Sequence, residues 1–275
     1  MQPRKNMNKC SKVVVFDLDE TLGSFVEMGM FWDALQSYFD NKLTKNDFYK
    51  TVDLFPELLR PEIEKILKYL KNKKRENRCR KIMIYTNNMG GKQWVHMVKS
   101  YLEQRMKMQL FDQVICAFTY NGQHLELDRT TEEKTYSDLL RCCKLPANTE
   151  FCFLDDQMHP AMENDMVYYI KIKPYVHDYP YETMVDRFLQ NEMGALVEDP
   201  DDFKDYVISF MDDYNYNINV KGDIEKEVDR IISKKIMFHL QEFFKTSLQP
   251  DNGVKITRKR RKHRAKQKSK SKTKS

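Results

Sequence analysis

The chain has 275 residues, enough to bury a core without disulfide or metal staples. Its 41% hydrophobic and 12% aromatic content, with only 8 Gly and 9 Pro, excludes wholesale disorder, while 32% charged residues imply a heavily ionic surface. Residues 255–275 hold twelve Lys or Arg and no acid, so the formal charge of +6 hides a body of −6, with 35 basic against 41 acidic residues, and a tail of +12.

MQPRKNMNKCSK runs into VVVF without a signal-peptide core and cleavage site, and no run of about eighteen apolar residues occurs. The expectation is an intracellular protein with no membrane association. Cys10, Cys79, Cys116, Cys142, Cys143 and Cys152 form no C-x-x-C pair, and the six histidines show no H-E-x-x-H or finger spacing. That argues against zinc and against a disulfide framework.

The first predicted strand is VVVF at 13–16. Residues 23–59 follow as an insertion with helical patterns around FWDALQSYF and DFYKTVDLF, where a lid could lie. After Pro61, the spacing of Ile63, Ile66, Leu67 and Leu70 predicts a helix. The basic run Lys71, Lys73, Lys74, Arg75, Arg78, Arg80 and Lys81 precedes the second strand, IMIY at 82–85. It therefore sits at the amino end of the sheet, as a solvated loop or a dock for something acidic.

GGK at 90–92 lacks the frame of a P-loop and reads as a turn into the helix of Trp94, Val98, Tyr101 and Leu102. A third strand is expected at VICAF, 114–118, then a hairpin at Asn121-Gly122 and a helix through Tyr136, Leu139, Leu140 and Cys143. FCFL at 151–154 and VYYIKI at 167–172 complete the strands, and helices are expected at roughly 180–192, 200–213 and 223–247. From Pro250 onward the composition predicts disorder. Strands alternating with helices indicate a mostly parallel sheet covered on both faces, a three-layer α/β/α, Rossmann-like architecture. In that class the site lies beyond the carboxyl ends of the strands.

Four short motifs fall at those ends. FDLDETLGS places Asp17 and Asp19 two residues apart after the first strand, with Thr21 two further on. The second strand ends in YTNN, with Thr86 and Asn87; Lys134 opens the helix after the third; the fourth ends in Asp155-Asp156. Taken alone, each has a structural reading: a turn with an N-cap Asp, a strand-end cap, a solvated helix charge. Together they supply a nucleophile, a proton donor, ligands for a divalent cation and positive charge for phosphate oxygens, the requirements of phosphoryl transfer.

In this order the motifs resemble those of the haloacid dehalogenase superfamily of phosphatases, D-x-D-x-T, S/T, K and D-D. DLDETL, the Leu59-Arg60-Pro61 leading into a helix and the lack of a large cap look most like its Fcp/Scp, or NLI-interacting-factor, group of protein serine/threonine phosphatases. Free-standing copies of similar kind also occur in large DNA viruses of eukaryotes. The resemblance covers about residues 12–190. It implies that Asp17 is the nucleophile that forms an aspartyl-phosphate and that Asp19 is the general acid and base, its carbonyl helping to hold Mg²⁺. Thr21 orients the loop, Thr86 and Asn87 contribute phosphate-binding donors, Lys134 neutralises charge, and Asp155 and Asp156 hold the metal.

The implied organisation is a phosphatase domain over 1–194 with 23–59 as its helical insertion, a helical extension over 195–249 and a disordered basic tail over 250–275. Two features depart from the closer group: Asp155-Asp156-Gln157 stands where Asp-Asn is usual, and KTYSDL separates Lys134 from the Asp-Leu that normally follows it. The hairpin insertion that helps choose peptides in that group is also short. The leading expectation is a Mg²⁺-dependent phosphatase of phosphoserine or phosphothreonine in proteins.

Two alternatives remain, a nucleic-acid or nucleotide phosphatase and a catalytically quiet scaffold that binds nucleic acid. Both draw on the tail, whose KRRKHR resembles a nuclear-localisation signal and whose Lys/Ser repeat suits non-specific phosphate contact.

Overall fold

The computed structural model describes residues 11–248; the basic tail over 250–275, with its expected disorder, transport and nucleic-acid roles, lies outside the described residues. Five strands form one parallel sheet: β1 (Lys12–Phe16), β2 (Lys81–Tyr85), β3 (Gln113–Ile115), β6 (Glu150–Asp155) and β7 (Val167–Lys171), in the order β3-β2-β1-β6-β7. The small antiparallel pair β4 (Thr119–Tyr120) and β5 (Gln123–His124) stands apart. Its turn is the expected one, since Asn121 and Gly122 both adopt positive φ, 48° and 75°.

Chain order runs outward from β1 through β2 to β3, then returns to β6 on the other side of β1. The strand order therefore reverses between β1 and β6, where a ligand crevice opens in sheets of this kind. Phe16 and Leu154 are in register there, and the Asp17 N–H extends the ladder by donating to the Leu154 carbonyl at 2.9 Å. Asp17 and Asp155 are consequently neighbours, although 138 positions separate them.

Alternation sorts the strand side chains onto two faces. Val14, Phe16, Ile82, Ile84, Cys152 and Leu154 enter the larger apolar cluster, and Val13, Val15, Met83, Tyr85, Phe151 and Phe153 the smaller. The smaller face is covered by α5 (Tyr136–Cys143) through Leu139, Cys142 and Cys143. The larger is covered by α1 (Val26–Tyr38), α2 (Lys45–Asp53), α3 (Ile63–Arg75), α4 (Gly91–Arg105), α6 (Tyr181–Leu189), α7 (Pro200–Asp212) and α8 (Asp223–Lys245). The three-layer α/β/α fold is therefore present, with unequal outer layers. Among the described residues no helix is long and apolar enough to cross a membrane, and the five described cysteines are free and buried.

The insertion over 23–59 is core rather than lid. Met28, Phe31, Ala34 and Leu35 of α1 are fully buried, and Phe31 meets Phe55 and Phe188 edge-on. A segment whose apolar face already packs between helices has none left with which to cover a pocket. The extension shares this core, with Phe203, Val207, Ile236, Leu240 and Phe243 in the same cluster as the strands.

The third strand stops at Ile115, short of the expected 118. The Thr86 N–H takes the Ile115 carbonyl at 3.0 Å, and β2 then turns away, leaving later residues no ladder partner. The basic run beside β2 is largely paired: Lys73 with Glu76, Lys74 with Asp112, and Arg78 with the Phe244 carbonyl at the end of α8. Part of the run thus docks the carbonyl-bearing end of a helix, which carries partial negative charge, and Lys71, Lys73, Lys74 and Arg75 belong to α3 rather than to the expected solvated loop.

Candidate active site

The chain leaves β1 in a tight loop. Glu20 adopts φ 55°, its N–H donates to the Gly23 carbonyl at 2.7 Å, and the Leu22 N–H donates to Leu18. Only glycine fits at position 23, because a Cβ there would lie 2.6 Å from the Leu58 carbonyl oxygen. The loop so formed turns Asp17 and Asp19 toward the same crevice.

Asp17, Asp19, Glu20, Thr86, Asn87, Asn88, Lys134, Asp155, Asp156, Gln157 and His159 line a pocket of about 160 Å³. All the carboxylates, the threonine and the lysine that the sequence singled out for chemistry meet here; Thr21 stands behind, donating to Asp156 Oδ1 at 3.2 Å. No residue of 23–59 lines it. A larger cavity of about 630 Å³, beside Tyr175 and His177, contains none of these groups; chemistry rather than volume picks out the smaller one.

Lys134 is the centre of the charge distribution. At 3% exposure it donates to Asp17 Oδ1 at 2.5 Å and to Asp155 Oδ2 at 2.7 Å. Burial would lower its pKa, but Asp17 and Asp155 outweigh that and hold it up. Five carboxylates, those of Asp17, Asp19, Glu20, Asp155 and Asp156, against one ammonium leave the pocket with a formal charge of −4. The surplus appears as displaced acidities. Burial pushes Asp17 up to about 8 against the pull of Lys134, with Asp155 and Asp19 adding to the push. Burial likewise raises Asp19 and Asp156. Asp155 alone moves down: burial opposes this but is outweighed by donors from His159, Lys134 and the Gln157 N–H.

Oxygens of Asp17, Asp155 and Asp156 lie within 4.8 Å of one another. An all-oxygen donor set with excess negative charge fits a hard divalent cation such as Mg²⁺. A second observation agrees: Asp19 Oδ1 is buried with no hydrogen-bond partner, while Asp19 Oδ2 accepts from Asn88 Nδ2 at 2.6 Å. A buried carboxylate oxygen without a donor is costly and marks a place for an incoming group.

Around this centre the other groups are spent on holding it. Thr86, 1% exposed, accepts the Asn88 N–H at 3.0 Å, which leaves its own O–H to donate into the pocket. Asn87 lines the pocket, and its side chain is held in place, accepting from Arg129 and donating to the Glu132 carbonyl. Lys134 is placed by a wrapped segment in which Thr135 caps α5 and buried Asp138 accepts from both the N–H and the hydroxyl of Thr130.

Sequence reasoning missed four residues. Asn88 stands beside Thr86 and Asn87 in YTNN; His159, four residues after Asp155, brings Nε2 to 3.3 Å from Asp155 Oδ2. Arg129 is buried and bonds Cys116, Asn87 and the 132–133 carbonyls. Arg60, within the quoted Leu-Arg-Pro, is 1% exposed and donates to the backbone carbonyls of Glu20 and Thr21 in the loop after β1. An arginine in a short polar segment carries no sequence mark of burial.

Comparison with protein-family models, with curated proteins and with solved structures found no match to this chain.

Proposed function

We propose that the protein is a Mg²⁺-dependent phosphatase that works through an aspartyl-phosphate on Asp17, as its resemblance to the haloacid dehalogenase phosphatases implies. The observation that carries this reading is the group of three buried aspartates at the β1/β6 crossover, two of them bonded to Lys134, with half-buried Asp19 beside them and its Oδ1 left open. Asp17, Asp155, Asp156 and the Asp19 carbonyl would hold the metal. Bound there, Mg²⁺ supplies the positive charge that lets an anionic phosphoryl group approach an anionic nucleophile.

In the first step a carboxylate oxygen of Asp17 attacks phosphorus, the phosphorus–oxygen ester bond breaks, and Asp19 gives its proton to the departing oxygen. Its raised pKa suits that donation. In the second, water attacks the phosphorus of the mixed anhydride and passes a proton to Asp19. Inorganic phosphate and the Asp17 carboxylate are released. Lys134 stays bonded to Asp17 and Asp155, limiting charge build-up, and the Thr86 O–H donates to a phosphoryl oxygen.

Pocket size supports a macromolecular substrate. At about 160 Å³ it is roughly half the lower bound of sites that enclose a drug-sized molecule, about 300 Å³. A phosphoryl group and its ion fit, and the rest of the substrate remains outside, as for phosphoserine or phosphothreonine on a protein segment. The test is phosphate release from an aryl phosphate with Mg²⁺, lost with chelator and in Asp17→Asn, followed by phosphopeptides against 5′-phosphorylated oligonucleotides. Turnover of oligonucleotides alone would move the reading to a nucleic-acid phosphatase. No turnover of any of them by the folded protein would leave the scaffold.

A further inference from the structure

No residue of α7 or α8 lines the pocket, yet α8 carries one of the most buried ion pairs in the described structure. Asp229 Oδ2 accepts from Lys221 Nζ at 2.6 Å, with side chains 1% and 7% exposed. Burying such a pair is expensive unless its surroundings use it. Lys221 Nζ stands 4.6 Å from the centroid of the Tyr175 ring, and the Arg60 guanidinium 5.3 Å from the same ring. Burial pulls Arg60 down to about 10, and Asp229 is the strongest charge opposing that pull. One carboxylate on α8 thus balances two buried cations. Each side also keeps one unsatisfied atom, a donor at Arg60 Nη1 and an acceptor at Asp229 Oδ1.

The opposite ends of Arg60 and Tyr175 grip the loop that carries Asp19. Arg60 Nε donates to the Thr21 carbonyl at 2.7 Å, and Nη2 to those of Glu20 at 2.5 Å and Lys173 at 3.0 Å. The Tyr175 N–H donates to the same Glu20 carbonyl at 2.8 Å, while its hydroxyl donates to Glu57 at 2.5 Å. Glu20, between Asp19 and Thr21, is the left-handed residue of the loop. For a side chain other than glycine that conformation is strained and persists only where neighbours enforce it.

We infer that α8 is a working part of the catalytic centre. Asp229 and Lys221 act as positioning residues that, through Arg60 and Tyr175, fix the backbone of 19–21 and so the carboxyl of Asp19. The kinetic consequence rests on the phosphatase reading; the clamp on the loop does not.

The test compares the full chain with Asp229→Asn and, should that variant fail to fold, with Lys221→Met. Asp229→Asn keeps the side-chain shape and removes the charge. We expect a roughly tenfold lower kcat with KM within about twofold, because Asp19 works in the transition state rather than in binding. Amides of 18–23 should exchange hydrogen about tenfold faster while those of β1, β2 and β6 keep their protection. Arg60→Lys, which retains charge but not the three-carbonyl fork, should give both signatures more strongly.

Unchanged kcat with unchanged loop exchange overturns the inference. So does exchange that rises evenly through the strands, which marks a merely structural ion pair. If the wild type hydrolyses no phosphomonoester, the phosphatase reading fails and the loop exchange decides the clamp by itself.

Discussion

Replacing Lys134 by methionine examines the electrostatics of the pocket without assuming turnover. Lys134 is the one lysine or arginine among the pocket-lining residues and bonds two carboxylates at 2.5 and 2.7 Å. Its loss takes the formal charge of the pocket from −4 to −5 in a setting where Asp17, Asp155 and Asp156 are all buried. Removing one partner of a buried pair costs about 3–5 kcal/mol, a large share of the roughly 5–15 kcal/mol that holds a domain together.

The deficit must depend on pH, with a definite sign. Asp17 has a folded pKa of about 8, above its ordinary value of 3.8. The folded state therefore binds more protons than the unfolded one between those limits, and stability from this group falls as pH rises toward 8. Without Lys134 that proton is held more tightly still, so acidification should relieve the variant. Urea unfolding in chelator is expected to show a midpoint lowered by about 1–2 M at pH 8 and by less than half as much at pH 5.5. Mg²⁺ should narrow the gap at pH 8 by stabilising the folded state. Equal stability of the two proteins at pH 8, or a deficit that does not change with pH, would refute this account.

Asp17→Asn should abolish phosphate release and raise the midpoint of metal-free unfolding at pH 8, since it removes an acid that burial pushes up to about 8; a stopped assay and the same urea titration read both. Asp19→Asn should slow turnover by about 10²- to 10⁴-fold, the range for general acid–base help, and a wild-type rate would assign the proton work elsewhere. Glu27 is fully buried in the first turn of α1, accepts from the Tyr179 N–H at 2.9 Å and is pushed up to about 8 by burial. Its stability contribution falls as pH rises from about 4.5 to 8, so Glu27→Gln, which keeps the acceptor, should melt later than wild type at pH 8.5 and nearly with it at pH 5. A lower melting temperature at pH 8.5 would count against the burial argument.

The strands and the convergence of Asp17, Thr86, Lys134 and Asp155 were legible because both obey local rules. Apolar runs of four to six residues mark buried parallel strands, polar residues at their carboxyl ends land at one edge of the sheet, and Lys134, just ahead of the helix that returns across the sheet, comes to that same edge. Whether the insertion closes over the site is not legible in the sequence for a related reason: the helical pattern around FWDALQSYF shows that an apolar face exists, not which surface covers it, and α6 and α7, more than 140 positions away, supply that surface. What holds the side chain of Asn87 was not legible, because successive residues leaving a strand point in different directions. Its side-chain amide turns to Arg129, whose burial depends on carbonyls at 116, 132 and 133.

The two ends of the sheet differ in sign, and that difference bears on how a phosphate reaches the pocket. At the amino end, Lys12, Lys74, Arg78 and Arg80 surround a cleft, with Lys12 and Arg78 fastened to carbonyls at the end of α8. At the carboxyl end, four aspartates and Glu20 surround one lysine. A phosphate dianion approaching a −4 pocket is repelled by each excess charge, by about 2 kcal/mol at 4 Å in water and about 8 at an effective dielectric of 20. The wall of the pocket therefore opposes its proposed substrate unless a divalent cation enters first. On that reasoning, turnover requires the metal for binding as well as for chemistry, and chelation should raise KM as well as lower kcat. A chelated enzyme that still bound phosphate with unchanged affinity would show that Lys134 and the Thr86 hydroxyl suffice to hold the anion.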